Sequence, residues 1–310
     1  MKTSTFFTLA LATIGANALP LDALKRTNGI TDFDVLNFAL TLEHIEDAFY
    51  TGALAKYSEA DFEAAGLPKY ARGRFVEIGE HERSHVEFLS GVLGNQATQP
   101  CTYTFPYTDV KSFAALSQVF EGVGTSAYAG AAHLLTNPDY ITSSAVILST
   151  EARQAAWVAS AVNNVEPWSG NFDVPLDLNE VITLASSFIV SCPSTNPVLP
   201  AKAYPALTLD LASPSPSYPT SKKITPGSTI SFEYSASAPA GKQLYAAFFT
   251  GLDVIFVEIV NGKAVVPSSL RGTVYTAISD CSSFDQLSTS VIAGPTILMI
   301  DFDSQGNVIA

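Results

Sequence analysis

Up to about residue 192, apolar residues recur every three to four positions; beyond about residue 206 the period falls to two. The first pattern predicts helices over 32–56, 68–94, 109–135 and 140–163, with a shorter fifth over 177–190 carrying LNEVITLASSFIV. Thr31 with Asp34 three residues on resembles a capping box, and Pro68 opens the second helix. PSTNPVLPAKAYP breaks the helical period and reads as a linker. The later segments ALTLDL, TISFEYS, QLYAAFF, DVIFVEIV, KAVVP, GTVYTAI and TILMIDF read as strands, and PSPSYP as a loop. Asn261-Gly262, between DVIFVEIV and KAVVP, is a two-residue hairpin signal. The expected fold is multi-domain α and β. A four-helix bundle plus a fifth helix occupies 27–192, a linker 193–205, and a C-terminal antiparallel β-sandwich 206–310.

The first 26 residues follow neither period. Lys2, the apolar run FFTLALATIGA and the small residues Ala16-Asn17-Ala18 read as a signal peptide over 1–18. The run is shorter than the roughly 20 residues a membrane span needs, so no span is expected. LPLDALKR then ends in the dibasic Lys25-Arg26, which looks like a kexin-type processing site and makes 19–26 a candidate propeptide. Net charge is −13, and losing these residues removes three cations and one acid. So acidic a chain is not expected to bind nucleic acid or anionic lipid through phosphate contacts. The expected location is extracellular, with the cell wall as one possibility. In an oxidising compartment, two of the three cysteines should pair. Cys101 and Cys192 are the expected pair, because each sits just outside a predicted helix of the first domain.

HERSH, residues 81–85, carries two chemistries. H-E-x-x-H would be a zinc-peptidase helix, and E-x-x-H would be half of a di-metal carboxylate site. At 100° per residue, Phe75, Ile78, Val86, Leu89 and Leu93 all fall within about 40° of Glu82. His85 lies about 60° aside and His81 about 100°, toward the polar Arg74, Glu77 and Ser84. The helix therefore buries Glu82 and exposes His81. A peptidase needs both histidines on the metal and a third ligand, which no downstream pattern supplies.

A buried carboxylate is costly unless it is paired, hydrogen-bonded or metal-bound. Other helices carry glutamates on apolar faces too. Glu43 shares one with Leu36, Ala39, Leu40 and Tyr50, and Glu46 follows one turn on. Glu121 lies with Ala114, Ser117, Gly124 and Tyr128, and Glu151 with Ser144, Ile147, Leu148, Ala155 and Val158. The order Glu, Glu-x-x-His, Glu, Glu-x-x-Gln is a pseudo-repeat. It fits a di-metal site in which each of two helices gives a Glu and each of the others a Glu-x-x-His. Spacing of i and i+3 places carboxylate and imidazole on one helix face, and such ligands suit Fe or Mn. The candidate ligands are Glu43, Glu82, His85, Glu121 and Glu151, with Gln154 where a second His belongs.

LEHIEDAFY, EHERSHVEFL, CTYTFPYTDVKSFAALSQVFEGVGTSAY and STEARQAAWV resemble the fungal secreted ferritin-like proteins. That family is described as stress-response or late-sexual-development proteins, related to plant desiccation-related proteins. The resemblance covers nearly all of the chain beyond its N-terminus. It implies a ferritin-like bundle, secretion and a link to stress or development, and leaves the reaction open. Members commonly carry His where this chain has Gln154, so the second metal position is expected to be the weaker one.

Two functions remain open. One is a secreted metal-binding protein holding one or two Fe or Mn ions, with an oxidase acting on Fe(II), O2 or peroxide as the catalytic version. The other is a non-catalytic extracellular protein with a relic site and no ion, whose sandwich binds the cell wall or a protein. Iron storage in a shell is a poor third. The remaining features have plainer readings. His44 is expected at the surface and His133 in the core or at an interface. Tyr50 and Tyr128 are expected to pack, with lining of an oxidising centre as the alternative, and Trp157 and Trp168 to pack on the fifth helix or second domain. Gly122, Gly124 and Gly130 should allow close helix approach, and Lys222-Lys223 is a solvated pair.

Overall fold

The computed structural model describes residues 29–310; the expected signal peptide, propeptide and dibasic site lie outside them. Helix α1 (Asp32–Lys56) starts at Thr31, whose side chain and that of Asp34 cap each other's backbone N–H as expected. A short α2 (Glu59–Ala64) leads into α3 (Ala71–Leu93). The helix predicted from Pro68 begins three residues later, because the Pro68 carbonyl accepts a turn bond from Ala71 N–H. Helices α4 (Val110–Ala131) and α5 (Pro138–Trp157) complete the bundle, and α5 ends in one π-helical turn, Val158–Val162. The bundle is built as two pairs, α1 with α3 and α4 with α5, joined where α1 meets α4.

Between α3 and α4, strand β1 (Thr102–Tyr103) pairs antiparallel with β2 (Ile189–Ser191). Helix α6 (Leu178–Ala185) is therefore shorter than the predicted fifth helix: β-branched Ile189 and Val190 continue as strand once a partner is alongside. The expected disulfide Cys101–Cys192 closes this ladder at its end. No helix among the described residues is long and apolar enough to cross a membrane.

The C-terminal part is two antiparallel sheets. One has the order β3 (Leu207–Ser213), β4 (Thr229–Tyr234), β7 (Lys263–Val265). The other has the order β6 (Asp253–Glu258), β5 (Tyr245–Thr250), β8 (Gly272–Ser279), β9 (Val291–Ile300). Asn261 and Gly262 both have positive φ, 51° and 72°, so the expected tight turn forms. It does not make a shared ladder, however. Beyond one bridge, Val260 to Lys263, β6 pairs with β5 and β7 with β4, so the turn carries the chain between sheets.

Strand β5 shows how the two halves join. Period two sends Ala246 and Phe248 into the sandwich core with Ile230 and Val274. It sends Ala247 and Phe249, with Tyr275 and Ala277 of β8, into the core of the bundle. Tyr275 Oη donates to the Gly122 carbonyl at 3.3 Å and lies 2.9 Å from Ser126 Oγ, which ties the sheet to α4.

Two of the three α4 glycines allow close approach. A Cβ at Gly130 would lie 1.8 Å from the Leu176 carbonyl oxygen, whereas one at Gly122 would meet nothing within 4 Å. Gly130→Ala should therefore destabilise the protein by roughly 2–3 kcal/mol, because backbone must move. Gly122→Ala should stabilise it by about 0.5–1 kcal/mol through helix propensity. Urea unfolding of both variants tests this, and equal midpoints would refute the packing described for Gly130.

Candidate metal centre

Each bundle helix brings one glutamate to the central seam. Glu43 of α1, Glu82 of α3, Glu121 of α4 and Glu151 of α5 are all 0% exposed. His85 enters one turn after Glu82. Its Nδ1 lies 3.2 Å from Glu43 Oε2, 3.1 Å from Glu82 Oε2 and 3.8 Å from Glu151 Oε1. Glu43, Glu82, His85 and Glu151 each offer a ligand atom within 4.8 Å of the others, a spacing that could hold one ion. Glu121 lies outside that group. The Tyr50 hydroxyl donates to its Oε1, and its Oε2 has no partner among the described residues.

Gln154 is buried beside Glu82. Its Nε2 donates to Glu82 Oε1 at 3.0 Å and sits 3.3 Å from His81 Nδ1, while its own Oε1 is unpartnered. His81 is exposed, as its helix position predicts, and is not part of the carboxylate cluster. The peptidase arrangement is therefore absent from the described residues.

Three features differ from expectation. Tyr50 and Tyr128 do more than pack: Tyr128 donates to Glu43 Oε1, and Tyr50, 2.7 Å from Ser117 Oγ, holds Glu121. Burial and the adjacent carboxylates push both phenols well above their ordinary range, so both keep the proton they donate. His44 is buried, with Nε2 3.1 Å from the Thr98 carbonyl, because residues 35–46 of α1 are covered on every side. Trp157 packs edge-on against Phe75 within the bundle, and Trp168 is exposed. His133 is half-buried, with Nδ1 2.8 Å from the Gly130 carbonyl.

A further carboxyl group, Glu46, lies 4% exposed one turn beyond Glu43. Its i+3 spacing from Glu43 is the sequence signal for it. A Cβ at Gly124 would lie 1.9 Å from Glu151 Oε2 and 3.2 Å from Glu46 Oε1. Glycine at 124 thus leaves room for both carboxyl groups.

The electrostatics follow from burial. Desolvation, followed by repulsion among the carboxylates, pushes Glu46, Glu121 and Glu151 well above the usual range; Tyr50 and His85 only partly offset this at Glu121. Desolvation raises Glu82 to about 7 despite its bond to His85. Burial disfavours the His85 cation, but bonds to Glu43 and Glu82 outweigh it and raise His85 to about 10. Both oxygens of Glu151 and one of Glu121 have no hydrogen-bond partner among the described residues, the nearest cationic atom being His85 Nδ1 at 3.8 Å from Glu151 Oε1. Buried polar atoms are rarely left so, and a cation at this point would satisfy them. The residues therefore fit a divalent metal ion.

These shifts set a pH dependence for the metal-free protein. Above about pH 4.5 the unfolded chain releases the Glu82 proton, while the folded chain holds it until about 7. The native state then binds more protons, so stability falls as pH rises. His85 acts with the same sign, its contribution fading between about 6.5 and about 10. Urea midpoints of chelator-treated protein should correspond to a loss on the order of 3 kcal/mol from Glu82 between pH 5 and pH 8. A midpoint that rises over this range would contradict the burial described.

Comparison with known proteins agrees with this architecture. A family model for the ferritin-like domain matches residues 31–164. Protein rds1 of Schizosaccharomyces pombe is 29% identical over 181 residues, 57% of this chain. That alignment spans only 44% of the relative's length. Both findings support the resemblance to the fungal ferritin-like family that the motifs carry, with the match to a ferritin-like domain confined to residues 31–164 of the helical half.

Proposed function

We infer that this is a secreted metal-binding protein whose bundle holds Fe or Mn through Glu43, Glu82, His85 and Glu151, with a weaker second position at Glu121. The observation that carries this is the set of oxygens on the buried Glu151 and Glu121 that have no hydrogen-bond partner among the described residues. Carboxylates with one imidazole form a hard ligand set that suits these ions. When bound, such ions would supply redox chemistry toward Fe(II), O2 or peroxide. Around them, Tyr128 fixes the Glu43 carboxylate, Tyr50 fixes Glu121, and the apolar residues of the seam keep bulk water out. Loading must displace the proton that His85 shares with Glu43 and Glu82, so affinity should rise with pH.

The disulfide supports secretion, since such bonds persist in oxidising compartments. A role in stress response or development follows from the family resemblance. One observation favours the other reading, a non-catalytic wall or partner-binding protein with a relic site. Gln154 already donates to Glu82, using an oxygen that a second ion would need.

Metal content by mass spectrometry, on protein secreted and purified without chelators, separates the two. About one Fe or Mn per chain is expected, falling at least about tenfold in Glu82→Ala. Gln154→His should move the content toward two by restoring the missing imidazole. No metal in the native protein, even after reconstitution with Fe(II) and Mn(II), would establish the relic reading.

A further inference from the structure

A cavity of about 220 Å³ lies where the two halves of the chain meet, between α4, α5, the segment 163–177, the start of β8 and the end of β9. None of the candidate metal ligands lines it. The segment 163–177 holds no helix or strand, yet it is fixed at three points. Val165 N–H donates to the Ala159 carbonyl at 3.0 Å, Leu176 N–H to the Ser126 carbonyl at 3.1 Å, and Thr273 N–H to Ser169 Oγ at 2.8 Å. Gly272 has a φ of 63°, and a Cβ there would lie 2.6 Å from Ser169 Cα, so glycine lets the segment dock on β8. The anchored segment holds Trp168 on the lining of the cavity, 63% exposed. An aromatic ring held in water in this way is preorganised for contact with a ligand.

The polar part of the lining chooses among ligands. Thr125 lines the cavity, is 4% exposed, and its Oγ1 has no hydrogen-bond partner among the described residues. A bare buried hydroxyl is costly, and it can both give and accept a bond. Gln118 Oε1 accepts from Asn163 Nδ2 at 2.6 Å, which leaves the Gln118 amide nitrogen, a donor, for the cavity it lines. Nearer solvent stand three acidic side chains: Glu166, Asp173, and Asp301, which lies 3.6 Å from Lys223 Nζ. No lysine, arginine or histidine lines the space. An anionic ligand would therefore meet acids and no cation. An ammonium could give to the acids but could not accept from Gln118. A wholly apolar ligand would leave Thr125 and Gln118 bare. A neutral polyol with an apolar face meets all four demands, because its hydroxyls both give and accept and its C–H face can cover the indole.

We propose that this cavity is a binding site for one neutral pyranose unit, whose C–H face covers Trp168 and whose hydroxyls bond to Thr125, Gln118 and the acids nearer solvent. The volume admits on the order of a dozen non-hydrogen atoms at protein-like packing, the size of a single hexose. Uronic acids of the same size are disfavoured by charge. A cyclic alcohol with one hydroxyl is disfavoured by the polar groups it leaves bare. The site uses none of the candidate metal ligands, so the proposal stands with or without an ion in the bundle.

The test is calorimetric titration of the full chain at pH 7 with the methyl glycosides of glucose, mannose, galactose and N-acetylglucosamine. Methyl glucuronide, tetramethylammonium and cyclohexanol serve as the anionic, cationic and apolar comparisons. At least one neutral glycoside should bind with a Kd on the order of 1 mM, and all three comparison probes at least about tenfold more weakly. Binding should also shift the fluorescence of the exposed Trp168, whereas Trp157 is packed against Phe75. Trp168→Ala should weaken glycoside binding about tenfold or more, with metal content and unfolding midpoint unchanged because the side chain stands mostly in water. Ala152→Phe should have the same effect on binding by filling the cavity. If that variant fails to fold, Trp168→Ala still decides the matter. No binding of any neutral glycoside at about 20 mM, a comparison probe that binds as well as the best glycoside, or glycoside binding that survives Trp168→Ala would each overturn the proposal. Each outcome is read without reference to metal loading, so failure here leaves the metal reading untouched.

Discussion

A carboxyl group taken out of water must meet a donor, a proton or a cation, and this bundle takes five of them out together: Glu43, Glu46, Glu82, Glu121 and Glu151. Each has two acceptor oxygens when ionised. The side chains around them offer four donors: the Tyr50 and Tyr128 hydroxyls, the Gln154 amide and the His85 ring nitrogen. Donors alone leave oxygens of Glu121 and Glu151 bare. The remainder has to come from protons, which is what the raised carboxyls and raised His85 express, or from a cation that replaces them. The centre is thus a place where protons and metal compete for the same oxygens.

The rest of the fold keeps that centre dry. Helix α1 is covered by α3, by α4 and by the segment that runs to Cys101. Thr98 N–H donates to Asn37 Oδ1 at 2.8 Å, and the Thr98 carbonyl meets His44. The disulfide and the β1–β2 ladder hold that segment against the end of α6. On the other side, Ala247, Phe249, Tyr275 and Ala277 of the sheet share one apolar cluster with the bundle. The β-half therefore acts as a wall of the helical core. Removing it would expose the α4 surface that Tyr275 meets at Gly122 and Ser126.

What could be read from the chain depended on how many sides of each element face solvent. Helix α3 has one wet face, so its apolar stripe located Glu82 inside and His81 outside. The same reasoning failed for His44, because α1 has no wet face over residues 35–46 and a polar residue there is buried wherever it points. The tyrosines were legible as residues of the seam but not as donors. Their partners lie 71 and 85 positions away, and no local spacing records that. In the β-half, the run Ala246-Ala247-Phe248-Phe249 lacks the alternation of a half-wet strand for the same physical reason: both its faces are buried. The Asn261-Gly262 turn was legible because it is local, while the sheet each flanking strand joins was not.

Gln154 brings these threads to one atom. As an amide it has a donor and an acceptor, and here the donor is turned to Glu82 Oε1 while the acceptor is left bare. A second ion near Glu121 would need the opposite orientation, oxygen inward, and would give up the bond to Glu82 to obtain a neutral ligand. An imidazole in this place would have no such conflict, since one nitrogen could face the ion while the other donated elsewhere. The first position, built on His85, does not involve Gln154 in its ligand group. In the proposed centre Gln154 would thus separate two positions, leaving the ligand group of the first untouched and making the second depend on the difference between a hydrogen bond and a weak ligand.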